Sequence, residues 1–315
     1  MGFFASLINS MPSAVAQGLI WGIMAIGVYL TYRILDVADL TVDGSLGTGG
    51  AVCVVMVLNG VPVGLALLAA TAAGMLAGLV TGLFHTACGI PAILAGILTQ
   101  LALYSVNLRI MGTGTGGGKA NLPISVDKYN LLVSARYVRN AALNNPILIL
   151  VIFCAVLIAV LYWFFGTELG CSLRATGANQ NMARAQGINT NVTKVLGLMI
   201  SNGLVALAGG LLAQYQGFSD INMGRGAIVI GLAAVIIGEV IFSRIFRNFA
   251  LKLLSAVIGA IIYYIVMVFV LRLGLSTDDL KLLTALVVAL FLTIPYWKGK
   301  YFTKTSVKKG EKNHA

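Results

Sequence analysis

Charge is scarce in this sequence. Only 10% of its 315 residues are Asp, Glu, Lys or Arg, where an ordinary soluble domain carries roughly a quarter, and 59% are hydrophobic. That balance excludes a soluble fold, whose interior could not hide so much apolar surface. Histidine is nearly missing: His85 and His314 are the only two, and neither has a metal-ligand partner at useful spacing. The four cysteines, Cys53, Cys88, Cys154 and Cys171, make no CxxC pair and no ligand cluster, and read as small apolar packing residues. No metal and no cofactor is therefore expected. With no Ser, His and Asp set at membrane depth, an intramembrane enzyme has little support. The first ten residues hold no Lys or Arg, and no small-residue cleavage site follows the first apolar run, so a removable signal peptide is not expected.

Long apolar runs fill the chain instead. Stretches nearly free of charge recur at 13–35, 45–60, 62–84, 90–110, 146–166, 190–216, 225–243, 249–271 and 280–297, most of them near the ~20 residues that span hydrocarbon as a helix. Barrel strands would alternate apolar and polar residues, and these runs do not. Only helices otherwise satisfy every backbone group locally in lipid. The expected fold is an all-α integral membrane protein with about nine transmembrane helices.

The net charge of +11 would suggest nucleic acid in a soluble protein, but its placement points to the bilayer, and no nucleic-acid partner is expected. Lys298, Lys300, Lys304, Lys308, Lys309 and Lys312 lie in the tail after Trp297, which the positive-inside rule assigns to the cytoplasm. Arg244, Arg247 and Lys252, and the segment with Arg174 and Arg184, fall on the same side if nine spans alternate. The amino terminus is then outside. The connection from Met111 to Asn145, with Lys119, Lys128, Arg136 and Arg139, is also placed outside, against the rule.

Residues 15–50 align with 196–231 at an offset of 181 (220 minus 39), pairing Gly22 with Gly203, Ala25 with Ala206, Asp39 with Asp220 and Gly50 with Gly231. A helix, a polar break opening on Asp and a small-residue helix thus occur twice. The proposed topology inverts one copy relative to the other, an arrangement common in transporters. The expected division is four spans, one and four: a first repeat at about 13–110, a linking loop and helix at about 111–170, a second repeat at about 190–297 and a basic tail at 298–315.

The break holding Asp36, Asp39, Thr41, Asp43 and Ser45 precedes an unusually short apolar run from Leu46 to Leu58. Asp43 or Ser45 is expected to cap that partial helix, with the carboxylates exposed at a membrane surface. A cation or proton site is the competing reading. Asp220 and Asn222 are the matching positions in the second copy. Gly112–Ala120 looks like a phosphate loop but has Thr113 where glycine is required and Ala120 after Lys119, so it reads as an outer loop. No nucleotide site is visible, and any ATP chemistry would come from another polypeptide. Thr99, Gln100, Asn107, Asn202 and Gln214 are polar residues within apolar runs, and are expected to face other helices or a wet path. Glu239 is expected to pair with Arg244 or Arg247 and anchor a connection.

The most informative stretch runs from Glu168 to Asn189, where Leu173, Ala178, Met182 and Ala185 can line one small apolar face of a helix near 171–187, suited to a groove on a partner. Its Leu173-Arg-Ala-Thr-Gly177-Ala-Asn179 and Gly187-Ile-Asn189, continued by Ser201-Asn-Gly203, Gln214-Tyr-Gln-Gly217 and Gly231 to Glu239, resemble permeases of the branched-chain amino acid and ribose importer class. Leu40-Thr-Val-Asp43-Gly-Ser45 looks like a narrower branch associated with tryptophan or tyrosine binding proteins.

The resemblance covers most of residues 15–245 and implies the channel subunit of an ATP-binding cassette importer in a bacterial cytoplasmic membrane. Its substrate would be an amino acid, aromatic ones included, or a similar small polar solute. The implied partners are a cytoplasmic ATPase dimer, a second permease copy and an external binding protein, with lipid around them. Arg174, Ala175, Gly177, Asn179, Met182, Ala183 and Gly187 are the implied ATPase contacts. The alternative is an ion-coupled secondary transporter working through Asp39, Asp43 and Asp220.

Overall fold

The computed structural model describes residues 3–113, 117–125, 128, 129, 131–138, 145–242, 246, 248–272 and isolated positions between 282 and 293. Helix dominates them. In order come α1 (Phe3–Tyr29), prolonged by a wider π turn at Leu30–Ile34, α2 (Val42–Leu58), α3 (Val63–Thr86), α4 (Ala92–Met111), α5 (Pro146–Gly166), α6 (Glu168–Ala178), α7 (Gln180–Ala185), α8 (Thr190–Gln216), α9 (Ala227–Phe242) and α10 (Phe249–Arg272).

Local chemistry sets several of these ends. The Asn145 side chain accepts from the Ile147 N–H, and Pro146 occupies the first helical position of α5, where its missing N–H costs nothing. Asn189 accepts from the N–H groups of Asn191 and Val192 to open α8, which stops at Gly217 in a left-handed conformation with φ 78°.

Among the described residues, six helical stretches are long and apolar enough to cross a membrane: Asn9–Ile34, Val63–Thr86, Ala92–Met111, Pro146–Gly166, Thr190–Gln216 and Phe249–Leu271. The expected nine spans are therefore not reproduced. Helices α2 and α9 are apolar but have only 17 and 16 residues, about 25 Å of helix against a hydrocarbon core of about 30 Å. Most of the run 280–297 and all of the basic tail 298–315 lie outside the described residues.

The long helices divide into centre and rim. In the most apolar stretch of each span, 89% of residues are buried in Asn9–Ile34 and 78% in α8, but only 33%, 28% and 22% in α3, α4 and α5. Leu68, Leu76, Leu101 and Val160 point outward from the rim helices, as side chains do on a helix that is apolar all round and covered by lipid. Helix α2 packs between α3, α4 and α8, and α10 packs along α1 and α9.

The central contact is a crossing of small residues. Gly49 of α2 lies on the Ala206 backbone, and Gly209 of α8 lies on the Leu46 carbonyl, where any side chain would collide. Close backbone approach of this kind is how helices pack where no water drives them together.

One feature departs from the all-helical expectation. Asn121–Pro123 (β1) pairs antiparallel with Phe218–Asp220 (β2), Leu122 standing opposite Ser219. This short ribbon joins the long connection after α4 to the break between α8 and α9.

Candidate functional site

After the π turn, the chain reverses through Asp36, whose φ is 55°, and runs back into the protein before α2 begins. Asp39 on this return is only 2% exposed. Its Oδ1 accepts the Thr41 N–H at 2.9 Å, and its Oδ2 accepts from Asn202 Nδ2 at 2.7 Å. The Asn202 carbonyl oxygen in turn accepts from Ser45 Oγ at 2.6 Å. A carboxylate away from water is tolerated only when such donors replace its hydration. The expected exposed position for Asp39 is thus corrected: the break folds inward, and α8 supplies the compensating amide.

A line of hydroxyls extends this cluster. Thr41 Oγ1 lies 2.7 Å from Thr81 Oγ1, which lies 2.9 Å from Thr99 Oγ1, so the return loop, α3 and α4 meet through three buried threonines. Thr99 and Asn202, singled out from sequence, belong to one network through Thr41 and Asp39. Thr81 was overlooked, although a threonine inside an apolar run carried the same signal as Thr99.

Asp43 departs from expectation differently. It caps not its own helix α2 but α9: its carboxylate oxygens accept from the N–H groups of Gly226 and Ile228, each at 2.9 Å. A carboxylate there satisfies amides that the helix start leaves unpaired and complements its dipole. Ser45 bonds Asn202 rather than capping. In the second break, Asp220 Oδ1 accepts from the Asn222 N–H at 2.7 Å, the same two-residue turn that Asp39 makes with Thr41. Asn222 itself is exposed.

The other amides are dispersed. Gln214, fully buried, accepts from the Leu132 N–H at 3.1 Å and donates to Cys53 Sγ at 3.3 Å, tying the long connection to α8 and α2. Gln100 is half-buried, its backbone close to Gly44. Asn107 is 2% exposed, and its side-chain oxygen has no hydrogen-bond partner among the described residues.

The stretch expected to be one helix near 171–187 is an elbow of two, α6 and α7. Asn179 sits extended between them (φ −159°, ψ 105°) and accepts the Met182 N–H at 3.0 Å, so the residue that ends α6 starts α7. Leu173 is fully buried instead of joining an outward face. Gly177 lies directly on the Ile34 carbonyl at the end of α1, and Thr176 Oγ1 lies 2.9 Å from Thr193 Oγ1 of α8. Arg174 turns toward α5 and α10, donating to the Phe165 carbonyl at 3.3 Å, and Ala183 is buried. Asn179, Met182 and Gly187 are exposed and Ala175 is half-buried. Gly187 turns the chain out of α7 at φ 82°.

Glu239, near the end of α9, pairs with Arg33 of the π turn at 2.9 Å. Arg244 and Arg247 lie outside the described residues. The pair joins the end of α1 to the end of α9, beside the elbow's attachment at Ile34.

Residues 10–294 match the family described as branched-chain amino acid transport system / permease component. The chain is 41% identical over 284 residues to the tyrosine transport system permease protein of Clostridioides difficile (strain R20291), covering 90% of each. It is 36% identical over 289 residues to an uncharacterized protein of Rickettsia prowazekii (strain Madrid E), covering 90% of this chain and 97% of that one. The ribose import permease protein of Escherichia coli (strain K12) is 28% identical over 231 residues, or 73% of this chain and 69% of the relative. In fold, the chain resembles PsaBC from Streptococcus pneumoniae in complex with Fab, with a TM-score of 0.53 at 16% identity over 95% of this chain and 98% of that one.

Proposed function

Because the chain belongs to the branched-chain amino acid transport permease family, we propose that it forms the translocation path of an ATP-driven importer for tyrosine or a similar aromatic amino acid. It is a multi-pass membrane protein. The aromatic substrate is inferred from the tyrosine transport permease that is 41% identical over 90% of both chains.

The observation that carries the reading is the elbow. Helix α6 is fixed to the protein through Gly177, Leu173 and Thr176, while α7 presents Met182, 64% exposed, and Asn179 away from it. An apolar side chain held outward on a rigid short helix suits a groove on another protein. We assign that groove to a cytoplasmic ATPase dimer that binds and hydrolyses ATP. Asn179, Met182 and Gly187 face it. Arg174, Gly177 and Ala183 instead hold the elbow in place.

In this reading the amino terminus is outside and the carboxyl terminus cytoplasmic. An external binding protein delivers the substrate, and a second permease copy completes the path. The two halves are inverted repeats, a reading supported by the recurrence of a long buried helix, an Asp turn and a short helix in α1–α2 and α8–α9. Motion of the elbow reaches the interior through the end of α1, which carries both the Gly177 contact and the return loop with Asp39.

The buried Asp39 gives a second reading, an ion-coupled secondary transporter, since ionisable groups inside membranes often bind coupling ions. Uptake of labelled tyrosine by proteoliposomes separates the two. The importer requires the ATPase, internal ATP and the binding protein. Uptake driven by a sodium or proton gradient with the permease alone decides for the second.

A further inference from the structure

A cleft of about 600 Å³ lies where α5 ends, α6 begins and α10 begins, lined by Tyr162, Trp163, Phe165, Thr167, Arg174 and Phe249 among others. Three features of this cleft bear on what it holds. The first is its level. The most apolar stretch of α5 has a mean hydropathy of 3.1 and only 22% of its residues are buried, so α5 is a lipid-facing span. Its last turns carry Tyr162 and Trp163, exposed by 57% and 72%. Aromatic side chains with a polar edge collect where hydrocarbon meets the headgroups.

The second is a fixed cation. The Arg174 guanidinium lies 5.4 Å from the centre of the Phe249 ring, which packs 4.9 Å from the Phe165 ring. One hydrogen bond, to the Phe165 carbonyl, anchors it. A guanidinium has five N–H donors in a planar fork that matches phosphate oxygens, and no carboxylate faces Arg174 among the described residues. The third is a polar rim, since Thr167 and Asn248 border the same space.

We propose that this cleft binds the phosphate headgroup of an anionic phospholipid, with its acyl chains lying along α5. Arg174 holds the phosphate, Asn248 bonds its oxygens, Thr167, whose hydroxyl donates to the Phe164 carbonyl at 2.6 Å, accepts from a glycerol hydroxyl, and Trp163 and Tyr162 cover the glycerol and upper acyl region. A free phosphate would satisfy the same fork but would leave the exposed aromatic wall unused. The lipid then braces the root of the elbow, a role that does not depend on which substrate is carried or on what drives transport.

The test uses the purified full chain in detergent, titrated with phosphatidylglycerol or phosphatidylcholine and read by native mass spectrometry. Phosphatidylglycerol is expected to be retained in preference, and Arg174→Gln to weaken its retention about tenfold, as for loss of a charge-assisted hydrogen-bonded pair. Excess inorganic phosphate is expected not to displace it. Equal retention of the two lipids, unchanged retention by Arg174→Gln, or displacement by phosphate alone overturns the proposal. Should Arg174→Gln fail to fold, Trp163→Ala, which truncates an exposed side chain, is read instead: weaker phosphatidylglycerol retention supports the site, and unchanged retention removes it.

Discussion

Asn202 in the middle of α8 donates a 2.7 Å hydrogen bond to the carboxylate of Asp39, 163 residues earlier in the chain. Its carbonyl oxygen holds Ser45 at the same time, so one amide satisfies both the return loop and the start of α2. Replacing Asn202 by Ala strands the Asp39 and Ser45 groups where neither reaches water. We expect a loss of about 2–4 kcal/mol, roughly the cost of one or two unsatisfied buried groups, read as a lower thermal midpoint of the detergent-purified protein. Ser45→Ala, which removes one arm and leaves Asp39 paired, is expected to cost less than half as much.

Asp43 makes its claim on α9 measurable amide by amide. In Asp43→Ala the N–H groups of Gly226 and Ile228 lose their acceptor, and their hydrogen exchange is expected to accelerate while the middle of α8 stays protected. The stability change is about 1 kcal/mol, as for a lost helix cap. Unchanged exchange at both amides would contradict the cross-chain cap.

Much of the architecture was legible in the sequence and the interior was not. Apolar runs marked α3, α4, α5, α8 and α10 to within a few residues because spanning lipid requires length and charge depletion, both visible one residue at a time. The short run after Ser45 announced α2 for the same reason. Asp39 and Asp43 were misjudged because a carboxylate beside a membrane run looks the same whether it caps its own helix or reaches a partner over 160 residues away. Only the return of the chain after Ile34 decides that, and no local pattern encodes it. Glu239 has a partner of the same distant kind, Arg33, 206 residues away, which no local pattern announces. Asn179 divided the expected helix near 171–187 because its side chain competes for the backbone, a signal present in the sequence but overridden by the small apolar face drawn through Leu173 and Ala178.

Gly177 offers a test of how the elbow is attached. Its α-carbon rests on the Ile34 carbonyl, so Gly177→Ala forces α6 away from α1. We expect a destabilisation of about 1–3 kcal/mol, typical of overpacking. Met182→Ala, at an exposed position, is expected to stay within about 0.5 kcal/mol of the parent. Similar stability of the two variants would mean that α6 is not fixed at Ile34.

The threonine line makes a narrower claim. Thr81→Val preserves shape but removes the hydroxyl between Thr41 and Thr99. A loss of about 1–2 kcal/mol is expected, and Thr99→Val in the same background should then add little, since the partner is already gone. Full additivity would place the two hydroxyls in separate environments.

The most direct test of the account is the ratio of tyrosine transported to ATP hydrolysed in proteoliposomes holding the permease, its ATPase and the binding protein, with Met182→Glu beside the parent. Met182 is exposed and apart from the buried network, so the variant should assemble and unfold like the parent while ATP-driven uptake falls at least about tenfold, as for a charge forced into an apolar contact. Uptake and coupling ratio equal to the parent's would contradict the claim that α7 receives the work of the ATPase.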